Sequence, residues 1–286
     1  MTTAHTATPP ATLEDVQNRP DERQVALQAA GISHVKMPLN VLQKDGQHQR
    51  VAATVAMNVA LPPQQKGTHM SRFVIQLSEW SRAKTFSLYL HEFLEEMTQR
   101  LEAPSAMVDV AFDYFIEKAA PVTQGKAPMA YACRFISSIT HTPQGEAQHQ
   151  TRLQIRVPIA TLCPCSKAIS DFGAHNQRAI LTTDVMLDPN SEGHSLLWIE
   201  DLVALSDEVA SCPVYPLLKR ADEKWVTERQ YTNPKFVEDV CRDMTVALRQ
   251  HPAVTGFRVR VEALESIHDH NAYAAHAEGT PLLSVL

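Results

Sequence analysis

The sequence predicts an α+β protein, with antiparallel sheet covered on one face by helices. Two observations predict it. Stretches of period-two alternation follow one another along the chain, which is the spacing of half-buried strands. Between them stand segments whose apolar residues recur at helical spacing and cover a single face. Sequential alternating strands suggest antiparallel sheets with helices laid on one face. The 286 residues suffice for one large domain or two smaller ones.

Residues 1–28 read as a flexible arm: Pro9, Pro10 and the polar run Glu14–Arg23 offer no face to bury. From Val51 the chain alternates, with Val51, Ala53, Val55, Met57, Val59 and Leu61 on one side, until Pro62 and Pro63 end the strand. An apolar run, Phe73–Leu77, follows the segment Gly67–Arg72. Phe86, Leu90, Phe93, Leu94, Met97 and Leu101 make an amphipathic helix that Pro104 closes. Three strands come next. Val108, Val110, Phe112, Tyr114 and Ile116 alternate in the first; the others span Ala130–Ile139 and Arg152–Ile159. In the second half Ala179–Leu187 reads as a strand and Ser195–Ser211 as a helix. Asn233-Pro234 is read as N-cap and first helical residue of another helix, with Val237, Val240, Cys241, Met244 and Leu248 as its buried stripe. The strand Phe257–Ala263 closes the series. The helices near 86–102 and 234–250 occupy similar places in their halves. Two related modules are therefore expected, 29–160 and 161–286.

Composition narrows the function. Apolar content of 44% and charged content of 20% are those of an ordinary globular protein. A net charge of −6 argues against nucleic acid as a partner. No apolar run is long enough to span a bilayer, so no membrane is expected. Met1–Ala11 lacks the basic start and apolar block of a secretory signal, and a cytoplasmic location is expected. Five cysteines, with Cys163 and Cys165 too close to pair easily, are expected to be reduced. Neither a Gly-x-Gly-x-x-Gly nor a P-loop pattern is present.

The chemistry concentrates in Cys163-Pro164-Cys165-Ser166-Lys167 and the stretch that follows it to His175 and Arg178. Thiolate and imidazole are ligands for a transition metal such as zinc, and a thiolate is also a strong nucleophile. Two buried small cysteines would be the plain alternative. A zinc ribbon is excluded, because Cys212 and Cys241 do not form the second pair it needs. In Ser211–Lys224, Glu223 is a candidate carboxylate ligand or base, while Lys219, Arg220 and Lys224 could hold phosphate, unless the run is a solvated turn. Glu265-Ser266-Ile267-His268-Asp269-His270 places two imidazoles on one side of an extended chain, for a metal or for proton transfer. Glu238 is either a helix-start charge favoured by the dipole or a double acceptor suited to a guanine edge.

With Gly67-Thr68-His69-Met70-Ser71-Arg72, Ser211-Cys212-Pro213-Val214-Tyr215 and Lys219-Arg220-Ala221-Asp222-Glu223, these clusters resemble the GTP cyclohydrolase type IB family. The likeness runs in the family's order from about residue 30 to about residue 280. The resemblance implies the tunnelling fold, with two tandem modules per chain, sheets joined between subunits into a barrel, a homotetramer, and sites between subunits. It implies conversion of GTP and water to 7,8-dihydroneopterin triphosphate and formate, the first step of pterin and folate synthesis. A water activated by a divalent metal (Zn, Mn or Fe) would attack guanine C8. It implies Cys163, His175, Glu223 and His268 as metal-facing groups, with Cys163, His175 and His268 catalytic. Glu238 is implied as the purine anchor, and His69, Arg72, Lys167, Lys219 and Arg220 as further substrate contacts. Two choices stay open: Cys163 against Cys165, and His268 against His270. Two rivals remain as well. One is the tunnelling-fold nitrile reductase of queuosine synthesis, which would use a cysteine nucleophile; the other is a zinc-stabilised assembly protein without activity.

Overall fold

The computed structural model describes residues 17, 19–83, 85–142, 144–188 and 197–279. Its centre is one antiparallel sheet of nine strands: β1 (Leu27–Leu42), β2 (His48–Leu61), β3 (Ser105–Ala119), β4 (Lys126–His141), β5 (Ala147–Leu162), β6 (Asn176–Leu187), β7 (Cys212–Pro213), β8 (Val254–Ala263) and β9 (Ala272–Glu278). The order is β1-β2-β3-β4-β5-β6-β8-β9, and the short β7 pairs with β5 at Ile159 and Ala160. The α+β reading holds. The sheet runs without a break past residue 160, which lies inside β5. At the N-terminal end, Pro20 bridges to Gln65, and Leu27 already belongs to β1. The remainder of the expected arm, residues 1–16 and 18, lies outside the described residues.

Alternation on the strands is that of a sheet with one covered face. Val51, Ala53, Val55, Met57, Val59 and Leu61 of β2 are buried, while the residues between them are exposed or half-buried. Four helices cover that face: α1 (Met70–Ala83), α2 (Leu90–Leu101), α4 (Ile199–Val209) and α6 (Val237–Arg249). The first two pack together over β1, β3 and β4; the other two pack together over β5, β8 and β9. Each buries an apolar stripe, such as Phe73, Leu77 and Trp80 on α1, or Leu90, Phe93, Leu94, Met97 and Leu101 on α2. Trp80 and Phe86 both meet Phe93 edge-on, with ring centroids 5.3 and 5.1 Å away.

Several boundaries differ from the sequence reading. The Phe73–Leu77 run is part of the helix α1. Phe86 lies in a turn ahead of α2 and still packs on it, so the apolar spacing outlasts the helix. The Ser195–Ser211 helix is α4; residues 195 and 196 lie outside the described residues. Asn233 does not cap α6. It ends the preceding helix α5 (Arg220–Thr232), and its Nδ2 donates to the carbonyls of Ala210 and Ser211 at 3.0 and 3.1 Å. Lys235 then bridges to Leu162 of β5, which delays α6 until Val237, where the Asp239 carboxylate accepts from Phe236 N at 3.0 Å.

Candidate functional site

That bridge builds the site. It sets the first turn of α6, carrying Glu238, beside the end of β5. The β5–β6 hairpin ends its regular pairing at Leu162 and Asn176, and one further bond, Cys163 N to His175 O at 3.1 Å, closes the neck of the loop between them. Cys163 and His175 thus face each other, although an entire loop separates them in sequence. The loop contains α3 (Pro164–Ile169), for which Cys163 is the N-cap: its Sγ accepts from Ser166 N at 3.4 Å. Ser166 Oγ donates to Cys163 O at 3.1 Å and accepts from His175 N at 3.3 Å, tying the two residues through one hydroxyl. On the other side, β8 turns towards β9 through 264–271, which carries Glu265, His268 and His270.

These elements enclose a cavity of about 280 Å³ lined by Cys163, His175, Glu238, Glu265, His268 and His270, with Thr161, Gln177, Lys235, Phe236, Val237, Ala272 and Tyr273. Cys163 is half-buried in it; Cys165 is exposed on α3 and does not line it. His268 and His270 both line it, their rings stacked with centroids 5.1 Å apart. His175 Nδ1 lies 3.1 Å from Gln177 Oε1. One oxygen of Glu265, Oε2, is buried without a hydrogen-bond partner. Glu265 carries no expected role in the sequence; its place three residues before His268, at the end of a strand, is the signal for it. Thr161, Gln177 and Lys235 also went unassigned.

The other expected contacts lie elsewhere in this chain. His69 and Arg72 stand at the start of α1, where Arg72 Nη1 donates to Arg100 O at 2.8 Å. Lys167 donates to Tyr231 O at 2.5 Å and lies over the Tyr231 ring. Lys219, Arg220 and Glu223 mark the start of α5, away from the cavity, with Glu223 exposed. The buried Asp222 carboxylate between them accepts from Val122 N, Thr123 N, Thr123 Oγ1 and Lys219 N, at 2.6–2.9 Å. It fixes the start of α5 to the β3–β4 turn.

Thiol, imidazole and carboxylate are together the donor set of a divalent transition metal. The buried unpartnered Glu265 oxygen beside them marks a spot built for a positive or proton-bearing group. Among the described residues, no three His, Cys, Asp or Glu side chains are grouped closely enough to hold an ion by themselves.

The sheet with its paired helices on one face, and this polar cavity at the end of its central hairpin, define a tunnelling-fold protein. Urate oxidase from Bacillus subtilis 168 shares the fold with a TM-score of 0.53 at 8% identity, over 88% of this chain and 98% of that one. Uricase from Arthrobacter globiformis does so at 0.51 and 7%, over 88% and 93%. Sequence comparison goes further. The chain belongs to the type I GTP cyclohydrolase folE2 family, whose model matches residues 13–274. It is 44% identical to GTP cyclohydrolase FolE2 of Nitrosococcus oceani over 92% of this chain and 94% of that protein. The FolE2 proteins of Halorhodospira halophila and Thermosipho africanus match at 44% and 43%, each over 92% of this chain and 96% of theirs.

Proposed function

We propose that this protein is a GTP cyclohydrolase, converting GTP and water to 7,8-dihydroneopterin triphosphate and formate at the Cys163–His175–His268 cavity. The observation that carries the reading is the shared cavity: Cys163, His175, His268 and Glu238 come together in a chain of the folE2 family. Cys163, His175 and His268 would hold a divalent metal (Zn, Mn or Fe), with Glu223 reaching it from another subunit. Such a metal supplies the Lewis acidity that makes water a nucleophile near neutral pH.

The chain's own residues do the remainder. Glu238, exposed on the first turn of α6, offers two acceptor oxygens to guanine N1–H and the 2-amino group. The anchored base places C8 towards the thiol and the imidazoles. One water adds at C8 and the imidazole ring of the purine opens to a formamide; a second water releases C8 as formate, and the freed amine closes onto the rearranged ribose with loss of one water, so that one water is consumed overall. Whichever of His268 and His270, stacked side by side and exposed, does not hold the metal can carry the protons that the opening nitrogens require. The orphan Glu265 oxygen can orient one of those rings. The triphosphate needs cations; among the described residues Lys235 is the lysine or arginine that lines the cavity, and its Nζ is held by Asp243 at 2.7 Å and by the Val209 carbonyl at 3.0 Å. His69, Arg72, Lys167, Lys219 and Arg220 serve it only if subunits bring them there, which fits a homotetramer with sites between chains.

The test is formate release from GTP. Turnover should stop on thorough chelation and return with a divalent metal. Full turnover in metal-stripped protein would overturn the metal's part; no formate with any of Zn, Mn or Fe would overturn the activity.

A further inference from the structure

We propose that Gln177, held in turn by Thr161, is a positioning residue that fixes His175 in the tautomer protonated at Nδ1, leaving the Nε2 lone pair for the cavity. The inference rests on the reading of His175 as a working residue of that cavity.

The geometry is local and follows from the hairpin. Gln177 is the second residue of β6 and His175 stands immediately ahead of the strand, two residues away, so along the extended chain their side chains leave the same side. Gln177 is directly opposite Thr161 in the β5–β6 register. Its amide therefore spans from the ring to the neighbouring strand: Oε1 lies 3.1 Å from His175 Nδ1, and Nε2 donates to Thr161 Oγ1 at 3.1 Å. Thr161 is 1% exposed, so one end of the relay is fixed in the core. A neutral imidazole has one donor and one acceptor nitrogen. An amide oxygen against Nδ1 accepts only if the proton is there, and Nε2 is then the acceptor. A nitrogen that is to ligate a metal or receive a proton needs that free lone pair. The backbone adds to the aim, since the His175 carbonyl accepts from Cys163 N and the His175 N–H donates to Ser166 Oγ. With the main chain pinned on both sides, the amide is left to settle which nitrogen is free.

Neutral histidine on its own favours the Nε2–H form, so losing the acceptor should release the ring to that form. Gln177→Met keeps the length and removes the acceptor; Gln177→Glu keeps an acceptor facing the ring. The direct readout is the solid-state 15N spectrum of histidine-labelled, metal-free protein, with His175 assigned by the signals lost in His175→Ala. Wild type and Gln177→Glu should show a protonated Nδ1 and an unprotonated Nε2, and Gln177→Met a shift towards Nε2–H. Zn²⁺ affinity of the stripped protein, by competition with a chromogenic chelator, should weaken about ten- to a hundredfold in Gln177→Met. It should recover most of that loss in Gln177→Glu. Wild-type His175 carrying its proton on Nε2 overturns the proposal, as does a tautomer unmoved by Gln177→Met. The wild-type spectrum decides this even if the variant does not fold. Unchanged Zn²⁺ affinity in His175→Ala would instead remove His175 from the metal site and so count against the proposed function, while the spectrum still reports on Gln177.

Discussion

Cys163 and Cys165 are separated by one residue and by their surroundings. Cys163 caps α3 and faces the cavity, while Cys165 is exposed outside it. Losing even an outer partner of a metal ligand costs about 10–100-fold, so Cys163→Ala should lower turnover more than about a hundredfold. The lost N-cap costs about 1 kcal/mol, so its Tm should fall by no more than about 4 °C. Cys165→Ala should leave turnover within about threefold, since a surface change away from the cavity is nearly neutral. The reverse pattern would move the thiol's role to Cys165. Glu238 makes the second residue-scale case. Hydrogen bonds to a charged group contribute about 1.5–3 kcal/mol, and Glu238→Gln replaces a charged double acceptor with one acceptor and one donor. GTP binding should weaken roughly ten- to a hundredfold, and ATP should be a very poor substrate of the wild type, because its base edge lacks the matching donors. Equal GTP affinity in wild type and variant, by calorimetry on metal-loaded protein, would place the purine anchor elsewhere.

At the scale of elements, α2 carries a titration centre unrelated to the cavity. His91 and Glu95 of α2 face His149 of β5 and His141 of β4. The His91 and His149 rings are 4.5 Å apart at their centroids, and Glu95 lies 3.3 Å from His149 Nε2 and 3.8 Å from His141 Nε2. Thr98 and Thr151 hydroxyls complete the cluster. Burial first, and the electrostatic effect of the neighbouring His149 second, hold the His91 imidazole below its ordinary range, against a smaller opposing pull from Glu95. A histidine depressed in the fold contributes stability above its unfolded value, and that contribution is lost as pH falls through the lower folded value. Acidification from pH 7.5 to 5 should therefore lower the Tm of wild type more than that of His91→Gln. An equal drop in both would show that the α2 seam does not sense the pH. Elements were legible in the sequence where periodicity was strong, as in β2–β6, α2 and the stripe of α6. They were not where the period gave no signal. β1 is largely exposed and shows no clean alternation, and β9 is short and Ala-rich. In α5 only Asp222 is buried, so no apolar stripe announced a helix. The Asn233-Pro234 signal failed because Asn233 spends its side chain on Ala210 and Ser211. For the candidate site, the motifs contain Cys163, His175, His268 and Glu238, which line one cavity. Gln177 and Thr161 were invisible because their part comes from strand register, which a sequence does not display.

At the scale of the whole molecule, a single chain brings together only part of the proposed ligand set. Cys163, His175 and His268 line the cavity, whereas Glu223 is exposed on α5. A helix that is polar nearly all round is one that bridges solvent or meets a partner, and α5 also leaves Trp225 and Tyr231 exposed at its surface. Among the described residues the sheet ends at β1 and β9, and such edges are normally covered in proteins. We therefore expect Glu223 to act in the cavity of a neighbouring chain, and mixing of subunits tests this. Cys163→Ala and Glu223→Ala should each be nearly inactive as homo-oligomers. When the two variants are co-expressed and assemble at random, a site made from one chain's Cys163 and the next chain's Glu223 is intact in about one quarter of cases. The mixed oligomer should recover about a quarter of wild-type formate release, with separately purified variants mixed without subunit exchange as the inactive control. If Glu223 served the cavity of its own chain, every site would carry one lesion and no activity would return. If Glu223→Ala alone were fully active, the carboxylate would have no part in the site, and the missing ligand would be sought among Glu265 and His270, which the cavity already holds.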